Sequence, residues 1–206
     1  MIKEILPHDK VKILRYSQIK FFNEGCYKTT IDEIAKGLQI SKNTIYKYFP
    51  NKEALMNESI EYFINNVRNN ANCILESHDN AIEKLVKMLN LISAHIMQFS
   101  EKFLRDVQIH YPELWRTIDN IRRKLAFETI SRLIRQGKKE KLFIDYPVEI
   151  LVTIFIGAFR AVINPQFLLN NKYSTSEAFN HTYKILLNAI LSEKGKITIK
   201  KLNLPK

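Results

Sequence analysis

The stretch Thr30–Glu53, TIDEIAKGLQISKNTIYKYFPNKE, decides how the chain is read. Its opening Thr30-Ile31-Asp32-Glu33 matches a capping box, in which the Thr hydroxyl and the Glu carboxylate each satisfy a backbone donor at a helix start. Ile31, Ile34, Ala35 and Leu38 recur at helical spacing and form the inward face of that helix. Ser41 offers the next N-cap a few residues later, so this helix is short and a second runs over Lys42–Phe49. Pro50 cannot continue it, and Asn51 caps a further helix with Glu53 near its positive end. Two short helices joined by a tight turn have the dimensions of a helix-turn-helix, whose second helix lies in the DNA major groove. Ala35 is small where the helices would cross, Ile40 plugs the turn, and Ile45 and Phe49 face inward. Lys42, Asn43, Thr44, Tyr46, Lys47 and Tyr48 then point outward or along the backbone, and their donors and hydroxyls suit phosphates and base edges.

On the N-terminal side, a helix is expected to start near Asp9 as capping carboxylate, with Ile13, Leu14, Ser17, Phe21 and Phe22 on one face and Gly25 as a left-handed end. On the C-terminal side, Leu55, Ile60, Phe63, Ile64, Val67, Ala71 and Ile74 mark a long fourth helix, and polar Glu76–Asn80 is the expected domain junction. The spacing of Ile82, Leu85, Leu89, Ile92, Ile96 and Phe99 predicts one helix. Pro112 opens a long helix expected to stop at Gly137, beside the basic Lys138, Lys139 and Lys141. Asp145 and Pro147 open a helix over Val148–Ile163 that is apolar nearly all round, and Ser174-Thr175-Ser176-Glu177 is a second capping box for a helix reaching Gly195. The basic tail KITIKKLNLPK is expected to fray. With only 5 Gly and 6 Pro in 206 residues and little β-branched alternation, the expected class is all-α.

Composition narrows the function classes. Hydrophobic residues at 46% and charged residues at 26% exclude collagen-like, low-complexity and wholly disordered chains, and 206 residues suffice for one domain or two small ones. A formal charge of +11 points to an acidic partner. Cys26 and Cys73 lie far apart with no CxxC, which suits a reduced cytoplasm, and the N-terminus carries no signal-peptide pattern. The apolar run Ile150–Phe159 is about half of the roughly 20 residues a membrane span needs, so no membrane partner is expected. His8, His78, His95, His110 and His181 form no metal-ligand spacing. No nucleophile elbow, P-loop, dinucleotide fingerprint or HExxH is present, so neither an enzyme nor a cofactor is expected.

Residues 21–60, FFNEGCYKTTIDEIAKGLQISKNTIYKYFPNKEALMNESI, resemble the DNA-binding unit of the TetR family of transcriptional regulators. The likeness covers roughly residues 9–56, with Gly25, Thr30, Ile34, Ala35, Ile40, Ser41, Thr44, Ile45, Tyr46, Phe49, Lys52 and Leu55 at matching positions. Gln39 replaces the usual turn glycine and so must adopt a left-handed or otherwise strained conformation, and Cys26 fills a slot that often holds an aromatic. The resemblance implies an all-helical homodimer with a three-helix helix-turn-helix domain over residues 1–53 and a helical ligand-binding and dimerisation domain over 54–206. It implies a repressor of a near-palindromic double-stranded operator, released by a small, mainly apolar effector. The DNA-contact candidates are Thr30, Lys42, Asn43, Thr44, Tyr46, Lys47, Tyr48 and Lys52. Asn43, Thr44 and Lys47 are the candidate base readers, whereas Tyr46, Tyr48 and Lys52 are candidate phosphate contacts. A cation such as Lys52 in a first helical turn opposes the helix dipole and suggests an anion nearby.

The effector is expected among the helices spanning Leu85–Trp115 and Phe155–Phe167, a region rich in aromatics and Met97. Candidate lining residues are Phe99, Phe103, His110, Tyr111, Trp115, Phe155, Phe159 and Arg160. The aromatic residues also fit an ordinary packed core, and Arg160 fits either an anionic head group or an ion pair at the dimer seam. That seam is expected on the Val148–Ile163 and Thr175–Lys194 helices. Two other readings suit a basic helical chain: a constitutive or architectural DNA-binding protein without small-molecule control, and a helical protein–protein adaptor.

Overall fold

Both capping boxes form as the sequence predicts. Thr30 Oγ1 accepts the Glu33 N–H at 3.2 Å while Glu33 accepts the Thr30 N–H at 2.8 Å, and Ser174 with Glu177 repeats the exchange at 3.2 and 2.9 Å. The computed structural model describes residues 7–96 and 98–201. It contains α1 (His8–Glu24), α2 (Ile31–Leu38), α3 (Lys42–Tyr46), α4 (Lys52–Glu76), α5 (Ala81–Ile96) and α6 (Glu101–His110). These are followed by α7 (Pro112–Lys139), α8 (Val148–Val162), α9 (Pro165–Asn171), α10 (Thr175–Ile190) and α11 (Glu193–Lys201). The fold is all-α; among the described residues the extended pairing is confined to an isolated antiparallel bridge between Phe143 and Leu191.

The chain divides into two compact units: residues up to Val67 with Gln98–Ile118, and Arg68 to the end of α5 with the residues from Asp119 on. In the first unit, Ile13, Leu14, Phe21, Ile34, Ile45, Phe49, Leu55 and Met56 are fully buried, and Phe103 and Val107 of α6 join the same core. Phe22 sits at its aromatic centre, 4.7–5.1 Å from the rings of Phe63, Phe99 and Phe103. In the second unit, Ile82, Leu133, Ile134, Val152, Phe155, Leu186 and Ile190 form the core.

Several helix limits differ from the sequence expectation, each for a local reason. The N-cap of α1 is Pro7, without a side-chain cap, so Asp9 lies in the first turn rather than before it. α3 stops at Tyr46, because the Tyr48 N–H bonds back three residues to the Ile45 carbonyl at 3.0 Å and tightens the end. The periodic run to Phe99 is broken after Ile96, and Ser100 caps a separate α6 by accepting the Phe103 N–H at 3.1 Å. The polar stretch Glu76–Asn80 is only the α4–α5 turn, and the units part within the continuous helices α4 and α7. Gly137 lies inside α7, where a Cβ would stand 2.0 Å from the Phe143 ring, and Lys141 at φ 60° makes the left-handed turn beyond. Asp145 does not cap α8 but pairs with Lys138 at 2.7 Å.

α9 was not anticipated; Asn164 caps it and Pro165 occupies its first turn. α10 ends at Ile190, and Gly195 lies within α11 because a side chain there would strike the Leu142 carbonyl. The tail is helical to Lys201, while its end from Leu202, like Met97, lies outside the described residues. α8 is not covered all round: Leu151, Val152 and Phe155 are buried, whereas Ile150 and Ile154 remain half exposed.

Candidate nucleic-acid interface

Ile34, Ala35 and Leu38 fix α2 on the first core, and Ile45 fixes α3. Between them Gln39 takes φ 56° and ψ 40°, the left-handed conformation expected for the residue in place of glycine. Its N–H bonds the Lys36 carbonyl at 3.1 Å and the Ile40 N–H bonds the Ala35 carbonyl at 3.0 Å, which satisfies the end of α2 and drops Ile40 against the core. Ser41 then caps α3 by accepting the Thr44 N–H at 3.1 Å.

With Ile45 held inward, α3 turns Lys42, Asn43, Tyr46 and Lys47 to solvent. Lys42 is drawn toward α2 by an ion pair with Asp32 at 2.8 Å, and that hydrogen bond raises its pKa. Thr44 is half buried and its hydroxyl lies 2.9 Å from Ser41 Oγ, so it is already engaged in the cap. Tyr48 packs partly on the core and lies beneath the Lys47 ammonium, 5.8 Å from its ring centre. Thr30 stands exposed at the α2 start, with its hydroxyl also 3.2 Å from Glu33.

Lys52 does more than stand beside a prospective anion. Its ammonium donates to the Tyr27 carbonyl at 2.7 Å, and partial burial lowers its pKa. The other side of the same residue is held by Asp106 of α6, which accepts the Tyr27 N–H at 2.8 Å. The Asp106 carboxylate reaches this position across Gly25, where φ is 87° and a Cβ would come within 2.5 Å of its oxygen. The Tyr27 ring stacks on His110 at 3.7 Å between centroids. Thus α4 and α6 together set the loop that leads into Thr30. Asp106 and Tyr27 escaped the sequence reading because 79 residues separate them and neither belongs to a local motif.

The other candidate ligand residues are divided between the two units. Phe99 and Phe103 stack at 5.5 Å within the first core, and Tyr111 and Trp115 pack partly against it. Phe155 is buried in the second core, and Phe159 packs on Phe179 at 5.0 Å. Arg160 is exposed on α8 and lines an open hollow of about 450 Å³ with residues of α7. The described residues contain no cluster of three acidic, cysteine or histidine side chains that would hold a metal, and no helix long and apolar enough to cross a membrane.

Residues 20–58, which include α2, the left-handed turn and α3, match the model of the family described as bacterial regulatory proteins, tetR family. This segment is a TetR-type DNA-binding domain. Likeness to known proteins extends beyond the helix-turn-helix. The chain is 23% identical over 168 residues to the HTH-type transcriptional regulator YvaF of Bacillus subtilis, covering 81% of this chain and 88% of that one. It is 25% identical over 179 residues to the nucleoid occlusion factor SlmA of Vibrio campbellii, covering 79% and 85%. A transcriptional regulator from Saccharomonospora viridis, solved with choline, superposes with a TM-score of 0.68 at 20% identity over 90% of this chain and 98% of that one. That last likeness is one of fold. The N-terminal part of the chain is therefore a DNA-binding domain of the kind found in bacterial regulatory proteins.

Proposed function

We propose that the protein is a homodimeric repressor that binds a near-palindromic operator through two copies of α3 and is released by a small, mainly apolar effector. The observation that carries the DNA part is the exposed row Lys42, Asn43, Tyr46 and Lys47 on a helix anchored from behind by Ile45. In this reading Asn43, Thr44 and Lys47 read bases, while Thr30, Lys42, Tyr46, Tyr48 and Lys52 position the backbone. One short helix reads too few base pairs for useful specificity, so two copies about one DNA turn apart, roughly 34–36 Å, are required. Footprinting tests this: protection of two half-sites supports it, and a single half-site bound by a monomer refutes it.

Residues 54–206 take the dimerisation and ligand roles. Ile150, Ile154 and Ala161 recur on one exposed face of α8, and Ile185 of α10 is 68% exposed. An apolar face of this kind supports burial against a second copy. Phe155, which lies on the helix expected at the seam, faces its own core, so the informative substitutions are Ile154→Arg and Ile185→Arg. Sedimentation should then show monomers that have lost operator binding.

The similarity to SlmA supports a second reading, DNA binding without small-molecule control, and so does the filling of the first core by Phe99 and Phe103 themselves. Operator affinity measured across a panel of small apolar acids, bases and neutral compounds separates the two readings.

A further inference from the structure

α8 carries three faces, separable at 100° per residue. Leu151, Val152, Phe155 and Phe159 point into the second core, and Ile150, Ile154 and Ala161 form the exposed apolar strip. The third face, Thr153, Ile156, Gly157 and Arg160, meets α7 in the 450 Å³ hollow, within the roughly 300–1,000 Å³ of small-molecule sites. Arg160 thus belongs mainly to the hollow and not to the strip.

The chemistry of the hollow is lopsided. Its charged residues are Arg123, Lys124 and Arg160, with no acidic residue in the lining, while Phe127, Ile156 and Gly157 supply apolar surface. Arg123 pairs with Asp119 at 3.2 Å, a carboxylate that it shares with Arg122 at 3.3 Å. Neither Lys124 nor Arg160 makes an ion pair or hydrogen bond among the described residues. Beside Gly157 a Cβ would meet nothing within 4 Å, so the floor is open to a ligand body. A neighbouring hollow shares Phe127, but there Glu128 stands beside Arg132 and Arg135, and Arg132 is already paired with Glu76.

We propose that the α7–α8 hollow binds an apolar monocarboxylate, its head between Arg160 and Lys124 and its body along Phe127, Ile156 and Gly157. The guanidinium offers a bidentate fork to a carboxylate, and the lysine adds a point charge. A quaternary ammonium such as choline, bound by the Saccharomonospora viridis regulator, meets two unpaired cations here and is excluded. The assignment rests on the effector reading, since it names the ligand class that would act on operator binding.

Calorimetry with decanoate below its micellar concentration tests the site on the full chain. Decanoate should bind at least tenfold more tightly than decyltrimethylammonium, and Arg160→Gln and Lys124→Gln should each weaken it about tenfold. Both side chains are exposed, so circular dichroism should show the variants folded. No decanoate binding, equal binding of the ammonium, or unchanged affinity in both folded variants would overturn the proposal. So would dissociation of the dimer by Arg160→Gln, which would make the hollow a subunit contact. Operator binding without ligand is measured in parallel: its absence defeats the repressor reading itself. Decanoate binding that leaves operator affinity unchanged overturns the carboxylate as effector and leaves DNA recognition standing.

Discussion

Replacing Asp106 with Ala should loosen the entrance to the DNA-binding helices from a position on α6. The carboxylate is nearly buried and accepts the Tyr27 N–H at 2.8 Å. A hydrogen bond to a charged group contributes roughly 1.5–3 kcal/mol net, and leaving a partly buried N–H without its acceptor adds to the loss. Asp106 also lies near Lys52, whose ammonium is already disfavoured by burial and is supported electrostatically by that carboxylate. The expected cost of Asp106→Ala is therefore about 2–4 kcal/mol. For a chain of this length that lowers the melting temperature by roughly 5–15 °C. Asp106→Asn keeps an acceptor oxygen of similar position and should lose about half as much. Operator affinity should fall with stability in the Ala variant, because Tyr27 sits three residues before the Thr30 cap. Thermal melts, hydrogen exchange at the Tyr27 amide and operator titrations provide the three readouts. An Ala variant that melts within about 1 °C of the parent, with Tyr27 exchange and operator affinity unchanged, would refute the reasoning.

Asn43→Ala or Lys47→Ala should relax base preference by roughly 1–3 kcal/mol per lost contact, whereas Tyr46→Phe should weaken all sequences alike. A binding selection that returns the parental motif from every variant contradicts that division. Glu33 titrates below its ordinary value of 4.5 because it accepts the Thr30 N–H, so the capping box stabilises fully above pH 4.5 and loses its effect as pH falls through the lower folded value. Acid unfolding followed by circular dichroism should therefore be less pH-dependent in Glu33→Gln than in the parent. Gly137→Ala should destabilise the second unit by roughly 1–3 kcal/mol, as its Cβ would press on the buried Phe143 ring; a denaturant midpoint equal to the parent's would show that the ring moves freely.

Much of the first unit is legible in short windows because its determinants are short-range. Thr30 and Glu33 meet over three residues, Ser41 and Thr44 over three, and the spacing of Ile31, Ile34, Ala35 and Leu38 exposes one face of α2. The left-handed turn at Gln39 is legible through the family resemblance, since Gln39 stands where that pattern has its turn glycine. Helix ends were harder to place wherever a glycine served packing: Gly137 and Gly195 look like stops, yet each admits a neighbour from elsewhere in the chain. Phe99 continues the apolar period of α5, but it belongs to the first unit and its ring packs on Phe22 there.

The sequence by itself determined the helical class, the helix-turn-helix and the identity of the residues on α3, because propensity, capping and hydrophobic period act within a few residues of one another. Tertiary structure alone decided that α6 completes the first core, that Asp106 and Lys52 grip opposite sides of Tyr27, and which face of α8 holds Arg160. Those features depend on groups brought together across 25 to 79 residues or on which helix covers which face. Side-chain chemistry specifies that a buried carboxylate needs a donor, but only packing selects the donor.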